Sequence, residues 1–275
     1  MNIAHGILSL ILPGLMLIVL TCTCRFDPSD NRQIHDDNET TGWGRAVDDI
    51  KSLTRNKPIP GHLIDPDQPL TEDLFDPNQL LVPLHHLHLR SGYVLDFVYH
   101  YDGMGGLPFL YARKETQPPF EDFDAYQKAI DDCASSTSKV GCNYLDYVES
   151  DGTEEGYFQW VILRMMGDQF YLNWHANYDD SEIVANKAQL ETLIEKLSGD
   201  DSGKPLSSAQ KKAAIKIDPA PVVTIDGEIV KVRIVWFTKW GGFYESNITL
   251  NSGTPHKVID TQTQLLVEYD CQILF

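Results

Sequence analysis

The segment Trp174-His175-Ala176-Asn177-Tyr178-Asp179-Asp180 places an imidazole beside two carboxylates. That combination suits general acid–base work, or a divalent cation held by His and Asp. It reads as a strand running into an acidic loop, and successive strand residues point to opposite faces. Trp174 and His175 therefore enter one cleft only if the chain bends. Adjacent Asp residues also serve ordinary turns, where they accept local backbone hydrogen bonds. The expectation is an aromatic core strand followed by an acidic loop. His175, Asp179 and Asp180 are the catalytic candidates should the chain be a hydrolase.

Three histidines, His85, His86 and His88, lie among Leu81, Leu84, Leu87 and Leu89. A helix would bring His85 and His88 together, and a strand His86 and His88. Two imidazoles converge in either case, so no metal is expected. Asp96, in Val94-Leu-Asp-Phe-Val-Tyr-His100, is costly to bury without a partner. His100 shares its face but lies about 13 Å away at strand rise, so Asp96 is expected to take another hydrogen-bond partner. Trp236, Trp240 and Phe243, with Tyr244, surround Gly241-Gly242 and are the candidate stacking residues for a sugar or peptide. Gly199-Asp-Asp-Ser-Gly203-Lys204-Pro205 is a poor phosphate loop: Pro replaces Ser or Thr and no strand feeds it. GxSxG, HExxH and EF-hand patterns are absent from the sequence, so no cofactor is expected, although scattered triads leave no such trace.

The elements that must position these residues alternate between helix and strand. Ala46, Val47, Ile50 and Leu53 recur at helical spacing. Asp76-Pro77 opens a helix closed by Ser91-Gly92. Tyr93 to Tyr101 is a strand, and Asp102-Gly-Met-Gly-Gly turns it towards a short partner in Pro108 to Arg113. Asp122 caps a helix with Phe123, Tyr126, Ile130 and Cys133 on one face. Two aromatic-rich runs, 157–166 and 169–177, flank Gly167-Asp168 and predict an antiparallel hairpin. Asn186 caps a helix with a Leu190, Leu193, Ile194, Leu197 stripe. A polar break spans 198–206, and Ser207 to Gln210 has the form of a capping box. Beyond Ile215 the pattern is strand: a hairpin turning on Asp226-Gly227, then a turn at Gly241-Gly242, then 265–275. Val230, Val232, Ile234 and Trp236 oppose Lys231 and Arg233, describing a sheet with one buried and one wet face. The fold class is α+β with mainly antiparallel sheet.

The chain carries 22 Lys and Arg against 40 Asp and Glu, a net charge of −18. A pI near 4.7 leaves no basic excess for nucleic-acid phosphates. The first 24 residues hold no Lys, Arg, Asp or Glu, and residues 6–20 form an apolar run broken at Pro13-Gly14. Such a run suits a signal-peptide core and is short of the roughly 20 residues of a membrane span. It ends in Val19-Leu20-Thr21-Cys22-Thr23-Cys24, which resembles a bacterial lipoprotein signal, with Thr in place of the usual small residue before Cys22. The resemblance covers the leader alone and implies acylation of Cys22, with Cys24 as the alternative. In an exported chain Cys133 and Cys142 are placed to close a small disulfide loop.

The expected organisation is a signal peptide over 1–21, a lipid-anchored acidic tether over 22–41, an α+β domain over 42–200 and a β-rich part over 207–275. The functional expectation is a bacterial envelope protein, anchored to the membrane by lipid, that binds a protein or glycan partner without catalysis and takes no nucleic acid. Two other readings are an acidic inhibitor or immunity-type protein against a basic toxin, and the hydrolase above.

Overall fold

The computed structural model describes residues 42–65, 67–69, 74–135, 141–199 and 203–273. The leader, the tether, Cys22 and Cys24 lie outside these residues, as does the middle of the 198–206 break. Among the described residues five helices and ten strands make an α+β fold. In chain order the helices are α1 (Gly42–Thr54), α2 (Phe123–Ser135), α3 (Glu154–Met166), α4 (Lys187–Lys196) and α5 (Ser208–Ala214). The strands are β1 (Leu87–Leu89), β2 (Tyr93–Tyr101), β3 (Gly105–Lys114), β4 (Val148–Ser150), β5 (Asn173–Trp174), β6 (Glu182–Val184), β7 (Val222–Asp226), β8 (Ile229–Thr238), β9 (Gly242–Asn251) and β10 (Val258–Glu268).

The main sheet runs β10-β9-β8-β6, all antiparallel, with β7 also on β8. β6 and β7 share one edge of β8: β6 pairs with Val235 to Phe237 and β7 with Ile229 to Arg233. The residues after 207 therefore complete a sheet that begins at Glu182. Val230, Val232 and Ile234 are buried on one face, with Lys231 exposed on the other, as the alternation requires. The wet face does not extend along the strand, however. Val235 and Phe237 are buried too, under Leu190, Leu193 and Ile194 of α4, its C-cap Leu197, and Ala214 of α5.

α3 occupies the place where the sequence predicts the first arm of a hairpin, and that expectation is overturned. Tyr157, Phe158, Trp160, Val161, Ile162, Leu163 and Met166 are all buried between α1 and the inner face of β7 and β8. From Gly156 to Leu163 every residue is buried, so the helix lacks the 3.6-residue polar stripe by which helices are recognised and reads like a strand. Its ends are marked nonetheless: Thr153 Oγ1 accepts from Gly156 N at 3.0 Å, with Glu154 and Glu155 in the first turn. Carboxylates there oppose the positive end of the helix dipole.

Smaller departures have local causes. Asp76 does cap, and Pro77 stands first, but the element is a single 3-10 turn, Pro77–Leu81, before β1. The β7–β8 loop is Gly227-Glu228, because Asp226 still pairs with Ile229. With Gly227 at φ 58° it follows the two-residue pattern that has glycine first. β10 starts at Val258, earlier than expected, and ends at Glu268. The other caps stand as read, including Asn186 and the reciprocal box of Ser207 and Gln210. Cys133 and Cys142 are disulfide-bonded, with Cα atoms 5.6 Å apart. Among the described residues no helix is long and apolar enough to cross a membrane.

Candidate functional site

His175 and Asp179 bound a 3-10 turn of which Asp180 is the C-cap, in place of the expected strand running into a loop. β5 is two residues long, and Trp174 takes φ 49°, which turns the chain into a 3-10 helix, His175–Asp179. Trp174 is left 64% exposed, and Asp179 is exposed as well. Asp180 departs in another direction: its Oδ1 accepts from the Thr238 hydroxyl at 2.6 Å. Burial raises its carboxyl pKa, and the hydrogen bonds from Thr238 and Lys239 only partly offset that.

Asp180 belongs instead to a cleft of about 420 Å3. The segment just after α1 supplies Arg55, Asn56 and Lys57; the segment after α3 supplies Gln169, Tyr171 and Leu172. Asp180 and Glu182 enter with β6, Leu193 and Lys196 from α4, Phe237 and Lys239 from the end of β8. Four cations thus converge with two carboxylates in a chain whose overall balance is strongly acidic. The cleft shares Arg55, Asn56, Glu182, Leu193 and Lys196 with a wider groove of about 850 Å3 between α1 and α4.

The charges in the cleft have two kinds of surroundings. Glu182 is buried and holds Lys51 through Oε1 and Arg55 through Oε2. Burial pushes its pKa up, but the two cations outweigh burial and hold the carboxyl below its ordinary value. Glu182 is thus a fixed counter-charge and is ill suited to exchange protons near neutrality. Lys57 and Lys239, in contrast, make no ion pair among the described residues; their amines lie 5.0 Å from the Phe75 ring and 5.1 Å from the Trp240 ring. Cation–π contact steadies an ammonium without neutralising it.

Gln169 forms part of the cleft lining and is 5% exposed. Both protons of its amide are spent on the carbonyls of Met165, at 3.0 Å, and Ser181, at 2.7 Å. That fixes which end is nitrogen and which is oxygen. Its Oε1 is buried and has no hydrogen-bond partner among the described residues. Leaving such an acceptor unsatisfied costs on the order of 1–3 kcal/mol. Tyr171, beside it, holds φ 55°, a strained conformation for a bulky residue. Its hydroxyl accepts from Phe75 N, and its carbonyl from the Tyr99 hydroxyl.

The other candidates fall elsewhere. Phe243 is wholly buried against Phe237 and is core. Trp236 stacks on Tyr244 at 4.6 Å and donates to Ser246 Oγ, while Trp240 packs on Tyr178 at 4.3 Å, next to Lys239. The three histidines go to separate neighbours: His86 Nδ1 lies 2.6 Å from Asp151, His88 lies 3.5 Å from Glu149, and His85 packs on His86. Among the described residues no three His, Cys, Asp or Glu side chains could hold a metal. Asp96 pairs with Arg113 at 2.8 Å across β2 and β3.

One arrangement escaped sequence reasoning because 106 residues separate its members: Ser150 Oγ lies 3.1 Å from His256 Nε2. The same nitrogen accepts the Ser150 backbone N–H at 3.2 Å, and the ring is 2% exposed, with its pKa lowered chiefly by burial. An imidazole tied to backbone and shut from solvent is a structural acceptor here. A third concavity, lined by Ala46, Leu53, Val82 and Pro83, is mainly apolar, and the Arg45 and Asp49 at its edge pair with each other. No protein-family model, curated protein or solved structure matches this chain.

Proposed function

We propose that this chain is an exported bacterial envelope protein, anchored through an acylated Cys22, that binds a protein or glycan partner without catalysing a reaction. The cleft below α1 and α4 receives an anionic group of that partner. The observation that carries this reading is the pairing pattern in the cleft. Its carboxylates are committed to internal partners, whereas Lys57 and Lys239 are half-buried and form no close ion pair among the described residues, Asp180 acting on Lys239 only at longer range. Ammonium groups held at a concave site are suited to receive an anion. An anion-receiving cleft favours an acidic partner over the basic toxin of the inhibitor reading.

The test uses the full chain in detergent, immobilised and challenged with solubilised envelope material. Wild type is expected to retain a partner that Lys57→Glu/Lys239→Glu releases, with retention falling as salt rises. Equal retention by both forms would place the partner elsewhere. Radiolabelled fatty acid is expected to enter the wild type and not Cys22→Ser; label persisting in that variant would move the anchor to Cys24, and absence of label from both would remove the lipoprotein reading.

A further inference from the structure

The two edges of the main sheet are defended differently. On one side β8 meets two short strands, β6 of three residues and β7 of five, and the chain enters β7 through Pro219 and Pro221. Short strands and prolines guard an edge, because an open row of backbone N–H and C=O groups invites another strand. The other side ends in β10, eleven residues that include no Lys, Arg or Pro. Among the described residues no strand pairs with its outer edge. All seven residues from Ile259 to Leu265 are exposed, so both faces of the strand are wet. Ile259 and Leu265, at the two ends of that stretch, are apolar yet 58% and 45% exposed. Beyond the stretch, Gln210 of α5 donates to the Glu268 carbonyl at 2.7 Å and covers that end.

The exposed stretch is self-complementary. Its midpoint is Gln262, and two such strands laid antiparallel about that residue set Gln262 against its own copy. Thr261 then opposes Thr263, Asp260 opposes Gln264, and Ile259 opposes Leu265. Hydroxyl pairs and apolar pairs at opposed positions stabilise a sheet, whereas like charges there destabilise it. Asp260 is the one charge in the stretch, and it meets an amide. A register centred on Asp260 would set carboxylate against carboxylate. Rows already built across the sheet also continue. Trp236, Tyr244 and Leu265 form one row, with the two rings stacked at 4.6 Å; its next member is Ile259 of the second copy. Ser246 and Thr263 lie in the next row on that face, with hydroxyls 2.8 Å apart, and Thr261 of the second copy follows them.

We infer that β10 is a self-association edge: two copies of this chain pair β10 with β10, antiparallel about a two-fold axis at Gln262, into one continuous sheet. The net charge of −18 on each chain opposes the approach. Association therefore strengthens as salt screens that repulsion. Retention of an anionic partner by the cleft has the opposite salt dependence, so the two readings are separable.

Cysteine cross-linking and sedimentation of the full chain in detergent test the inference. Opposed Cα atoms of an antiparallel pair lie about 4.5–5.5 Å apart, within the ~4.4–6.8 Å that a disulfide spans. Gln262→Cys is expected to form a disulfide-linked dimer on mild oxidation. The two copies of position 260 stand about 13 Å apart along the strands, so Asp260→Cys should cross-link at least about tenfold less. Mixing Asp260→Cys with Gln264→Cys should restore the link. Wild type, with Cys133 and Cys142 bridged and Cys271 buried, sets the background. Sedimentation should show a dimer whose dissociation constant falls as salt rises. Ile259→Lys/Leu265→Lys should raise that constant at least about tenfold, because lysine then opposes lysine at both ends. The variant also lowers the net negative charge, so general repulsion does not explain such a loss. Both positions are exposed, and the monomer should melt within about 2 °C of wild type. A monomer at every concentration up to about 0.5 mM, equal cross-linking at 260 and 262, or a dimer indifferent to the lysine pair would overturn the inference. Protection of the 259–265 amides from exchange only when envelope material is added would give the edge to a strand of another protein, and would overturn it too.

Discussion

Arg55 and Glu182, 127 positions apart, meet through Arg55 Nη1 and Glu182 Oε2, and this contact ties the end of α1 to β6. Lys51, one turn earlier, takes the other carboxylate oxygen. Glu182 therefore answers two cations at once from a buried position on a strand that begins the main sheet. Removing its charge leaves both without that counter-charge at the mouth of the cleft.

Glu182→Gln is expected to lower stability at pH 7 by about 3 kcal/mol, the usual consequence of breaking one side of a buried pair. The pH dependence has a definite sign. The folded carboxyl is held below its ordinary value of 4.5, so its stabilisation is complete above that pH and is lost as pH falls through the depressed folded value. Denaturant titrations of wild type and variant should therefore draw together progressively as pH falls below 4.5. A constant difference down to pH 3 would show that the charge of Glu182 is not what the pairing contributes.

Asp180, two residues away, should behave in the opposite sense. Its carboxyl is raised from 3.8, mainly by burial, so its ionised form costs stability at neutral pH. That cost is relieved as pH falls through the folded value. Asp180→Asn keeps an oxygen for the Thr238 hydroxyl and removes the buried charge. Its melting temperature at pH 7 is expected to equal or exceed that of the wild type, with any gain fading towards pH 4. A loss of several degrees at pH 7 would mean that attraction to Arg55 and Lys239 outweighs burial.

What the sequence made legible follows from how local each signal is. β2 spans the predicted Tyr93 to Tyr101, because β-branched and aromatic residues run unbroken between turn residues. Asn186 and Ser207 cap as their spacing to Gln189 and Gln210 suggests, since a cap is complete within four residues. α3 was illegible for the reason that makes it central: unbroken burial from Gly156 to Leu163 removes the polar face. The cleft was illegible for another reason. Arg55, Gln169, Asp180 and Lys239 come from four separate stretches, and none stands out in its own. Asp180 drew attention through its neighbours His175 and Asp179, yet its contacts are with Thr238 and Lys239.

The Cys133–Cys142 bridge should matter locally more than globally. α2 has no buried residue, and its contacts are aromatic, with Phe123 on His100 at 4.1 Å and on Phe109 at 4.9 Å. Closing a loop of this size is worth roughly 2–3 kcal/mol to whatever unit unfolds with it. If α2 opens as its own unit, the Cys133→Ser/Cys142→Ser variant should exchange the amides of 123–135 much faster than wild type. Its main melting transition should move by less than about 3 °C. A large shift of that transition would instead join α2 to the core.

The helical state of 154–166 is the point on which the core depends, and Thr153 tests it directly. Its hydroxyl oxygen accepts from Gly156 N at 3.0 Å and lies 2.6 Å from Asp151 Oδ1, so it closes the first turn of α3 and joins it to the preceding loop. Thr153→Ala should cost about 1 kcal/mol, the usual value of an N-cap. Thr153→Ser should recover most of that, because it restores the oxygen and omits only a methyl group. Within the helix, Phe158→Ala should cost about 3–5 kcal/mol, since the ring is almost fully enclosed between α1 and the sheet. Arg164→Ala, on an exposed position near the end of the helix, should change stability by under about 0.5 kcal/mol. Urea unfolding followed by far-ultraviolet circular dichroism measures all four. A strand over the same residues has no use for the Thr153 hydroxyl. Equal stability of the Ala and Ser variants with wild type would therefore return 157–166 to the hairpin that its aromatic content suggests.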